Sequence, residues 1–230
     1  MLDVITPATA TPSFWTLSQM SATIRPRLKG AVAGNDAQLV EISEEIAREG
    51  DIIATGHPGA LWYQEYQELL RLDRSRQWLY LQARPVAAVT SVAFGEDDPV
   101  VEGTEADEFS ISERGLYREC GWGSGSPGWT VQYFGGYYLA SMGLTIPAAI
   151  ADYVDPATGH DRRALRLKSA AWRGIQQRWN DDTSPDPSLK RVKIGPMERE
   201  WGGRDGGAPV MSPKVMAVFM QEGASRRIGI

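Results

Sequence analysis

The sequence predicts an α+β protein: a helical bundle with an inserted antiparallel β-sheet or hairpin module and an extended C-terminal arm. Three observations predict this class. Apolar residues recur with the 3.6-residue period of helices on both sides of residues 61–138. Within that block the period is two, which is typical of strands. Beyond residue 187, a Gly-rich stretch precedes one last short helical pattern. Because the strands are contiguous in the sequence, we expect hairpins and an antiparallel sheet.

We therefore divide the chain of 230 residues into four segments. Residues 1–60 are predicted to form the N-terminal helices of the bundle. Residues 61–138 are predicted to form the inserted β module. Residues 139–187 return to the bundle as its C-terminal helices, and residues 188–230 form an extended tail or arm. With 42% hydrophobic residues, the chain can bury one sizeable core.

Two helices are predicted in the N-terminal segment. The spacing of Phe14, Leu17 and Ile24 permits a short helix. A longer helix begins at a cap, either Asn35 or Asp36, and ends in a Gly-His-Pro-Gly turn. Its apolar positions form a single stripe that we expect to face the core; they are Leu39, Ile42, Ile46 and Ile53.

The β module is predicted from alternating side chains. Residues 77–81 place Leu79 and Leu81 on one face and Trp78 and Tyr80 on the other. Further strands are predicted at residues 84–94, 109–112, 116–120 and 129–134, whereas residues 61–70 fit either a helix or a strand.

The helical period returns after residue 139. Pro147 stands at the first position of a short helix, where its missing N–H does no harm. Asp161 is predicted to cap a longer helix over residues 162–179. The apolar side chains of this helix lie near one face, and three basic ones share another, namely Arg162, Arg166 and Arg173.

A last short helix is predicted near the C-terminus. Ser212 can cap it, and Pro213 fits its first turn. Val215, Val218 and Phe219 lie on one side of it. The sequence leaves open whether this helix docks on its own domain or on a neighbouring subunit or partner.

The charge is unevenly distributed along the chain. Residues 1–160 hold 10 basic and 21 acidic residues, which gives −11, whereas residues 161–230 hold 14 and 8, which gives +6. Seven of the acidic residues fall within residues 96–108. Two surfaces with different partners would explain this division, and so would a solvated helix and a solvated tail.

The composition argues against several other classes of protein. A single cysteine, Cys120, excludes an internal disulfide. The sequence contains no run of about 18 apolar residues, so we predict no membrane span. The N-terminal residues do not resemble a signal peptide.

The sequence also gives little support for catalysis. The two histidines, His57 and His160, are far apart, and residues 123–126 lack the strand–helix context of a nucleophile elbow. We therefore predict no enzyme, no catalytic residue, no metal and no cofactor. An aromatic group could be a sugar-binding platform, although strand aromatics are mainly core residues; it comprises Trp122, Trp129, Tyr133, Tyr137 and Tyr138.

Several short motifs follow one another in an order that is typical of a known protein family. The Arg84-Pro85-Val86 strand and Ser91-Val92 are followed by Gly115-Leu116-Tyr117-Arg118, by Val131-Gln132-Tyr133 before Gly135-Gly136-Tyr137, by Ile146-Pro147, and by Ala170-Ala171-Trp172. In this order the sequence resembles the head–tail connector (adaptor) proteins of long-tailed phages and gene transfer agents, over about residues 14–180. Residues 155–159 interrupt a helix that is typically continuous in that family.

The resemblance implies a structural protein of the virion neck. Such a protein forms a ring, generally of twelve copies, below the portal protein; the ring extends the DNA channel and joins the head to a tail-side neck or stopper protein. DNA is then only passing cargo, no membrane is involved, and assembly takes place in the host cytoplasm. A stopper or a tail-completion protein is the alternative role, and a carbohydrate-binding module or a small hydrolase is a more distant one.

We predict that two groups of residues contact the portal protein or a neighbouring subunit. The first belongs to the C-terminal arm, and the second is the basic face of the long helix. They are Trp201, Val215, Val218, Phe219, Arg226 and Arg227 in the arm, and Arg162, Arg166 and Arg173 on the helix.

Overall fold

Helices from both ends of the chain pack together beside a two-layered β module, so the protein is α+β, as predicted. The computed structural model describes the greater part of the chain. The described residues are 2–6, 12–56, 59–95, 97, 99–103, 105, 107–142, 145–183, 191–194, 197–200 and 211–227.

Four α-helices are present in the described residues: α1 (Leu17–Gln19), α2 (Asp36–Thr55), α3 (Leu165–Thr183) and α4 (Pro213–Arg227). α1 continues into a π-helical turn, Met20–Ile24, and a 3-10 turn, Arg25–Arg27. Further 3-10 turns are Ala33–Asn35, Ala140–Met142, Ala148–Tyr153 and Arg162–Ala164.

The strands form three antiparallel sheets. A four-stranded sheet has the order β1 (Leu2–Thr6), β2 (Gln64–Leu70), β7 (Trp129–Gly135), β4 (Val86–Phe94). A three-stranded sheet has the order β3 (Arg76–Tyr80), β6 (Gly115–Trp122), β5 (Ser110–Ser112). A separate hairpin joins β8 (Arg191–Ile194) to β9 (Met197–Glu200). Residues 64–70, which fit two patterns in the sequence, are therefore a strand.

The predicted apolar stripe of α2 faces the helical core. Leu39 and Ile46 are fully buried, and Ile42 is 4% exposed. α2, α3 and α4 pack against one another in pairs. The helix ends at Gly56, whose left-handed φ of 75° suits a residue without a Cβ.

A buried acid on α2 holds the connection to the β module. The carboxylate of Asp51 is 3% exposed and accepts hydrogen bonds from the backbone N–H groups of Gly59 and Leu61, the latter at 2.7 Å. The Tyr66 hydroxyl of β2 lies 2.6 Å from the carbonyl oxygens of both Gly59 and Trp62, and it donates its single proton to one of them at a time. Because these bonds join a helix, a turn and a strand, they fix the β module relative to α2.

The β module has a core of its own between its two larger sheets. Tyr66, Val131 and Tyr133 of the four-stranded sheet are fully buried in one cluster with Leu116 and Trp122 of the three-stranded sheet. The rings of Trp122 and Trp129 meet edge-to-face with centroids 4.9 Å apart, a favourable aromatic geometry. Two residues of the four-stranded sheet, Ala87 and Phe134, pack instead against the helical core.

Candidate assembly surfaces

The described residues among those considered for catalysis do not form a reactive group. His160 is 4% exposed, and its Nδ1 has no hydrogen-bond partner among the described residues. Burial, reinforced by the Lys168 ammonium, lowers the pKa of His160 to about 4. Ser124 and Ser126 lie on an exposed loop, and His57 lies outside the described residues. No group of three or more His, Cys, Asp or Glu side chains among the described residues could hold a metal ion.

The aromatic residues considered as a sugar platform are core residues. All five are at most 7% exposed, and they divide between the two cores. Tyr137 and Tyr138 pack in the helical core, whereas Trp122, Trp129 and Tyr133 pack in the β module. A sugar ring stacks on an exposed aromatic face, so these side chains as placed offer no such platform.

Another set of rings lies on the outer face of the three-stranded sheet. Trp78 pairs across the sheet with Tyr117, and their ring centroids are 5.2 Å apart. Tyr80 stacks on Trp78 at 6.0 Å. All three side chains are half-buried. The period-two pattern correctly placed Trp78 and Tyr80 opposite the buried Leu79, but the pairing with Tyr117 required the sheet register.

A basic stripe runs along the start of α3. Arg162, Arg166 and Arg173 are all exposed, and the spacing of helical turns places them on one side with Ser169, which is also exposed. The structure therefore presents the three arginines that the sequence grouped. A fourth arginine nearby is used internally, because Arg163 pairs with Asp161 at 2.8 Å and lies over the ring of Tyr153 at 4.1 Å.

Lys168 belongs to the edge of the helical core and not to the basic stripe. Its ammonium lies 5.5 Å from the centroid of the Trp15 ring. Burial lowers the pKa of Lys168 to about 8, although the nearby Asp155 carboxylate acts in the opposite direction. The Lys168 side chain therefore loses its proton at a lower pH than an exposed lysine does, whereas the exposed arginines stay charged.

The acidic surface lies on the loop between β4 and β5. In the described part of this loop, Asp97, Glu102, Glu105 and Asp107 are exposed. The loop is held by backbone pairs such as Gly103 N–H to Phe109 O at 2.9 Å and by the Arg118 guanidinium, which donates to the Asp107 carbonyl at 2.8 Å. It is thus an acidic surface on the β module, separate in the chain from the basic stripe.

The predicted arm residues divide into three groups. Val215 and Phe219 are buried against the same chain, at 2% and 0% exposure. Val218 is half-buried, and the neighbouring Met220 is 53% exposed. Trp201 lies outside the described residues, and of Arg226 and Arg227 only their place within α4 is described. Of the two possibilities that the sequence left open, docking of the helix on its own bundle is the one seen in the structure.

The surface against which α4 packs includes a recess at Gly50, which we call the notch and which the sequence did not reveal. Phe219 faces Gly50 in the middle of α2, where a Cβ would lie within 2.6 Å of three carbons of the ring. The ring of Phe14 is 6.4 Å away in an edge-to-face arrangement. An isolated Gly within a helical pattern was the available signal, because such a residue weakens the helix unless close packing requires it.

No protein-family model matches this sequence, and the search of curated proteins gave no match. Two solved chains that are similar come from the "Neck of empty GTA particle computed with C6 symmetry" (16% identity, TM-score 0.48) and the "Virion of native gene transfer agent (GTA) particle" (16% identity, TM-score 0.47). A third comes from the "Neck of native GTA particle computed with C12 symmetry" (17% identity, TM-score 0.43). Each similarity covers 96% of this chain and 94% of the other.

No helix among the described residues is long and apolar enough to cross a lipid bilayer.

Proposed function

We propose that this protein is a head–tail connector (adaptor) that forms a ring below a portal protein. The ring would extend the DNA channel and join the head to a tail-side neck protein. The motif order over residues 14–180 supports this class. The structural observation that carries the proposal is the presence of two oppositely charged exposed surfaces: the basic stripe on α3 and the acidic loop between β4 and β5.

Two different complementary surfaces on one chain favour head-to-tail association. When the acidic loop of one copy contacts the basic stripe of the next, the first copy keeps a free basic stripe and the second keeps a free acidic loop, so further copies can add. Such a heterologous contact closes into a ring when its rotation closes, and the motif resemblance suggests twelve copies. Exposed opposite charges also steer the encounter and exclude like-charged registers.

The C-terminal arm is the proposed contact with the portal protein. Val215 and Phe219 anchor α4 on its bundle, and Val218 packs partly against the same core, so the exposed Met220 and residues 201–210 are proposed to meet the partner. A connector of this kind acts by holding other proteins in position and carries out no chemical reaction. The buried ionisable groups of this protein have structural roles, which is consistent with such a function. The protein would be located at the head–tail junction of the particle after assembly in the host cytoplasm.

The test is electron microscopy of the purified protein over a range of ionic strength. We expect rings at low salt and fewer rings at 1 M salt, where the screening length falls from about 10 Å at 0.1 M to about 3 Å. Arg166→Glu combined with Arg173→Glu should abolish rings. Reversal of the acidic loop by Glu102→Arg and Glu105→Arg in the same chain should restore them. Rings that are insensitive both to salt and to the double reversal would contradict the charge-based contact.

A matched control separates loss of contact from loss of folding. Arg71 and Arg74 are exposed arginines outside α3, and their change to Glu should leave rings intact. All variants should show the circular dichroism spectrum of the parent protein. A protein that stays monomeric under every condition, and that fails to bind isolated portal rings, would overturn the connector assignment itself.

A further inference from the structure

We propose that the contact between copies in the ring has an apolar centre: the side chains of Trp78, Tyr80 and Tyr117 on one copy pack on Leu165 of the next. We call the three rings the aromatic face. This inference rests on the ring of the proposed function. It adds that the charged residues border the contact and fix its register, whereas the aromatic face and one leucine fill its centre.

The aromatic face is built by the register of the three-stranded sheet. Trp78 lies opposite Tyr117, and Tyr117 lies opposite Ser110 of β5, so these three residues form one row across the sheet. Tyr80 stacks on Trp78. The other side of this sheet contributes to the buried core of the β module, whereas the three rings remain half-buried. The row contains no charged residue, and Trp and Tyr are enriched in protein–protein interfaces, particularly at their energetic centres.

The aromatic face is continuous with the acidic loop. Ser110, at the end of the row, is exposed and lies three residues after the exposed Asp107 of the loop. Arg118, which follows Tyr117 in β6, donates to the Asp107 carbonyl at 2.8 Å and so holds the loop beside the sheet. A copy that presents its acidic loop to a neighbour therefore presents the aromatic face together with it.

The basic stripe contains an apolar residue at a matching place. Leu165 is 57% exposed, follows Arg162 by three residues and precedes Ser169 by four, so it lies on the same side of α3. A single exposed leucine is ordinary on a protein surface. This one stands among the arginines that the proposed function places in the contact, and specific interfaces commonly have an apolar centre within a polar border.

The spacing of the two surfaces agrees with simultaneous contact at both points. From Leu165 to Arg173 the helix rises by about 12 Å, at about 1.5 Å per residue. From Trp78 to Ser110, beside the acidic loop, two strand spacings of about 4.8 Å give about 10 Å. When Arg173 meets the acids of the loop, Leu165 can therefore lie over the aromatic face. The charges select this register, because registers that bring like charges together are disfavoured.

The two surfaces do not cover each other within one copy. In the same structure, Leu165 is 57% exposed and the rings of the aromatic face are half-buried. Among the described residues, no ion pair joins the acidic loop to the basic stripe. Cover for either surface must therefore come from another molecule, and a second copy carries the complementary charge and the complementary apolar group together.

A photoreactive side chain at Leu165 tests this contact. Replacement of Leu165 by p-benzoylphenylalanine puts the probe at an exposed position. Unlabelled copies with the probe are mixed with an excess of unmodified copies labelled with ¹⁵N, and rings are confirmed by electron microscopy before irradiation. Because trypsin does not cleave before Pro85, the peptides that carry the aromatic face are residues 77–114 and 115–118. Fragmentation in the mass spectrometer then locates the attached residue, and the ¹⁵N label shows that it came from another copy.

We expect ¹⁵N-labelled peptides attached at Trp78, Tyr80 or Tyr117. Attachment only within residues 96–108 would overturn the aromatic centre and leave the charge-based contact in place. Attachment only to unlabelled peptide, or no attachment within rings, would also overturn the inference. Absence of rings from the unmodified protein would instead overturn the proposed function. The same probe at Leu17, which is 59% exposed on α1, is the control and should not attach to these three residues.

A second variant avoids dependence on the probe. Leu165→Ser should leave the circular dichroism spectrum and the urea midpoint of the monomer unchanged, because the side chain is 57% exposed. It should raise the protein concentration at which half of the copies are in rings by about tenfold, the loss expected when about two buried CH₂ groups are removed from each contact.

The salt dependence distinguishes an apolar contact from a charged one. The effect of Leu165→Ser should be the same at 0.1 M and at 1 M salt, whereas that of Arg166→Glu should shrink at 1 M because ions screen exposed charges. Leu17→Ser is the matched control and should not change ring formation. Ring formation by Leu165→Ser equal to that of the parent protein at both salt concentrations would contradict an apolar centre at this residue.

Discussion

The tight contact between α2 and α4 allows a quantitative test of the helical packing. Gly50→Ala adds one methyl group where three carbons of the Phe219 ring lie within 2.6 Å. Carbon atoms in favourable contact are about 3.5–4.0 Å apart, so the ring must move by about 1 Å or more. Phe219 is fully buried, so its ring can move only by displacing neighbouring core side chains. We therefore expect overpacking, which costs about 1–3 kcal/mol.

Helix propensity acts in the opposite direction and must be separated from the clash. Ala is favoured over Gly by about 1 kcal/mol in a helix interior. Gly174 in α3 supplies the matched control, because a Cβ there would meet the end of the flexible Ile46 side chain at 2.9 Å. Gly174→Ala should therefore be neutral or stabilising by up to about 1 kcal/mol. Relative to it, Gly50→Ala should lower the free energy of unfolding by about 1–3 kcal/mol.

The assay is urea unfolding followed by circular dichroism, with the midpoint and slope measured for each variant. A double-mutant cycle with Phe219→Ala isolates the contact. The cost of Gly50→Ala should nearly vanish when residue 219 is Ala, since the added methyl then enters the vacated space. Equal stability of Gly50→Ala and Gly174→Ala, or a cost of Gly50→Ala that is the same with and without the Phe219 ring, would refute the proposed packing of α4.

Three further predictions concern buried ionisable groups and the outer side of α4. Burial raises the pKa of Glu68, although the hydrogen bonds that its carboxylate accepts from Gln82 N–H and Tyr133 O–H act in the opposite direction. The folded state therefore binds this proton more tightly than the unfolded state does. As a result, the free energy of unfolding should fall as pH rises above about 4.3. Glu68→Gln should remove this loss, and its stability advantage over the parent in urea unfolding should grow from pH 4 to pH 7; a constant difference would count against the assignment. The pKa of His160 is lowered to about 4, so stability should decrease by up to about 3 kcal/mol as pH falls from 6.5 to 4, and His160→Gln should flatten that decrease in thermal melts. Met220→Ser should leave the unfolding midpoint of the monomer nearly unchanged, because this side chain is 53% exposed, yet weaken binding of the protein to isolated portal rings. Unaltered binding to portal rings would show that this side of α4 is not the portal contact.

The sequence predicted the local structure of the protein well where a periodic pattern was strong. The stripe of α2 and the alternation around Leu79 are direct consequences of backbone geometry, because helices repeat every 3.6 residues and strands every two. The exposed arginines of α3 follow from the same rule. Three turns differ in type: residues 148–153 and 162–164 form 3-10 turns, and the first helix passes through a π-helical turn.

The candidate surfaces were predicted less completely than the elements that carry them. A run of acids and a stripe of arginines can be read from the sequence because charged side chains remain at the surface. The aromatic residues could not be assigned to the core or to the surface in this way, because residue type alone does not distinguish a buried ring from an exposed one. Their division between two cores depends on which sheet covers which, as does the pairing of Trp78 with Tyr117.

By itself, the sequence determined the α+β class, the position of most helices and strands, and the segregation of charge. Only the tertiary structure decided that β1 joins the edge of the four-stranded sheet, that Glu68 and His160 are buried, and that Phe219 enters a notch at Gly50. The physical reason is the range of the interactions. Periodicity and capping act within a few residues, whereas burial depends on packing between segments that are distant in the chain, such as Glu68 with Tyr133 and Gly50 with Phe219.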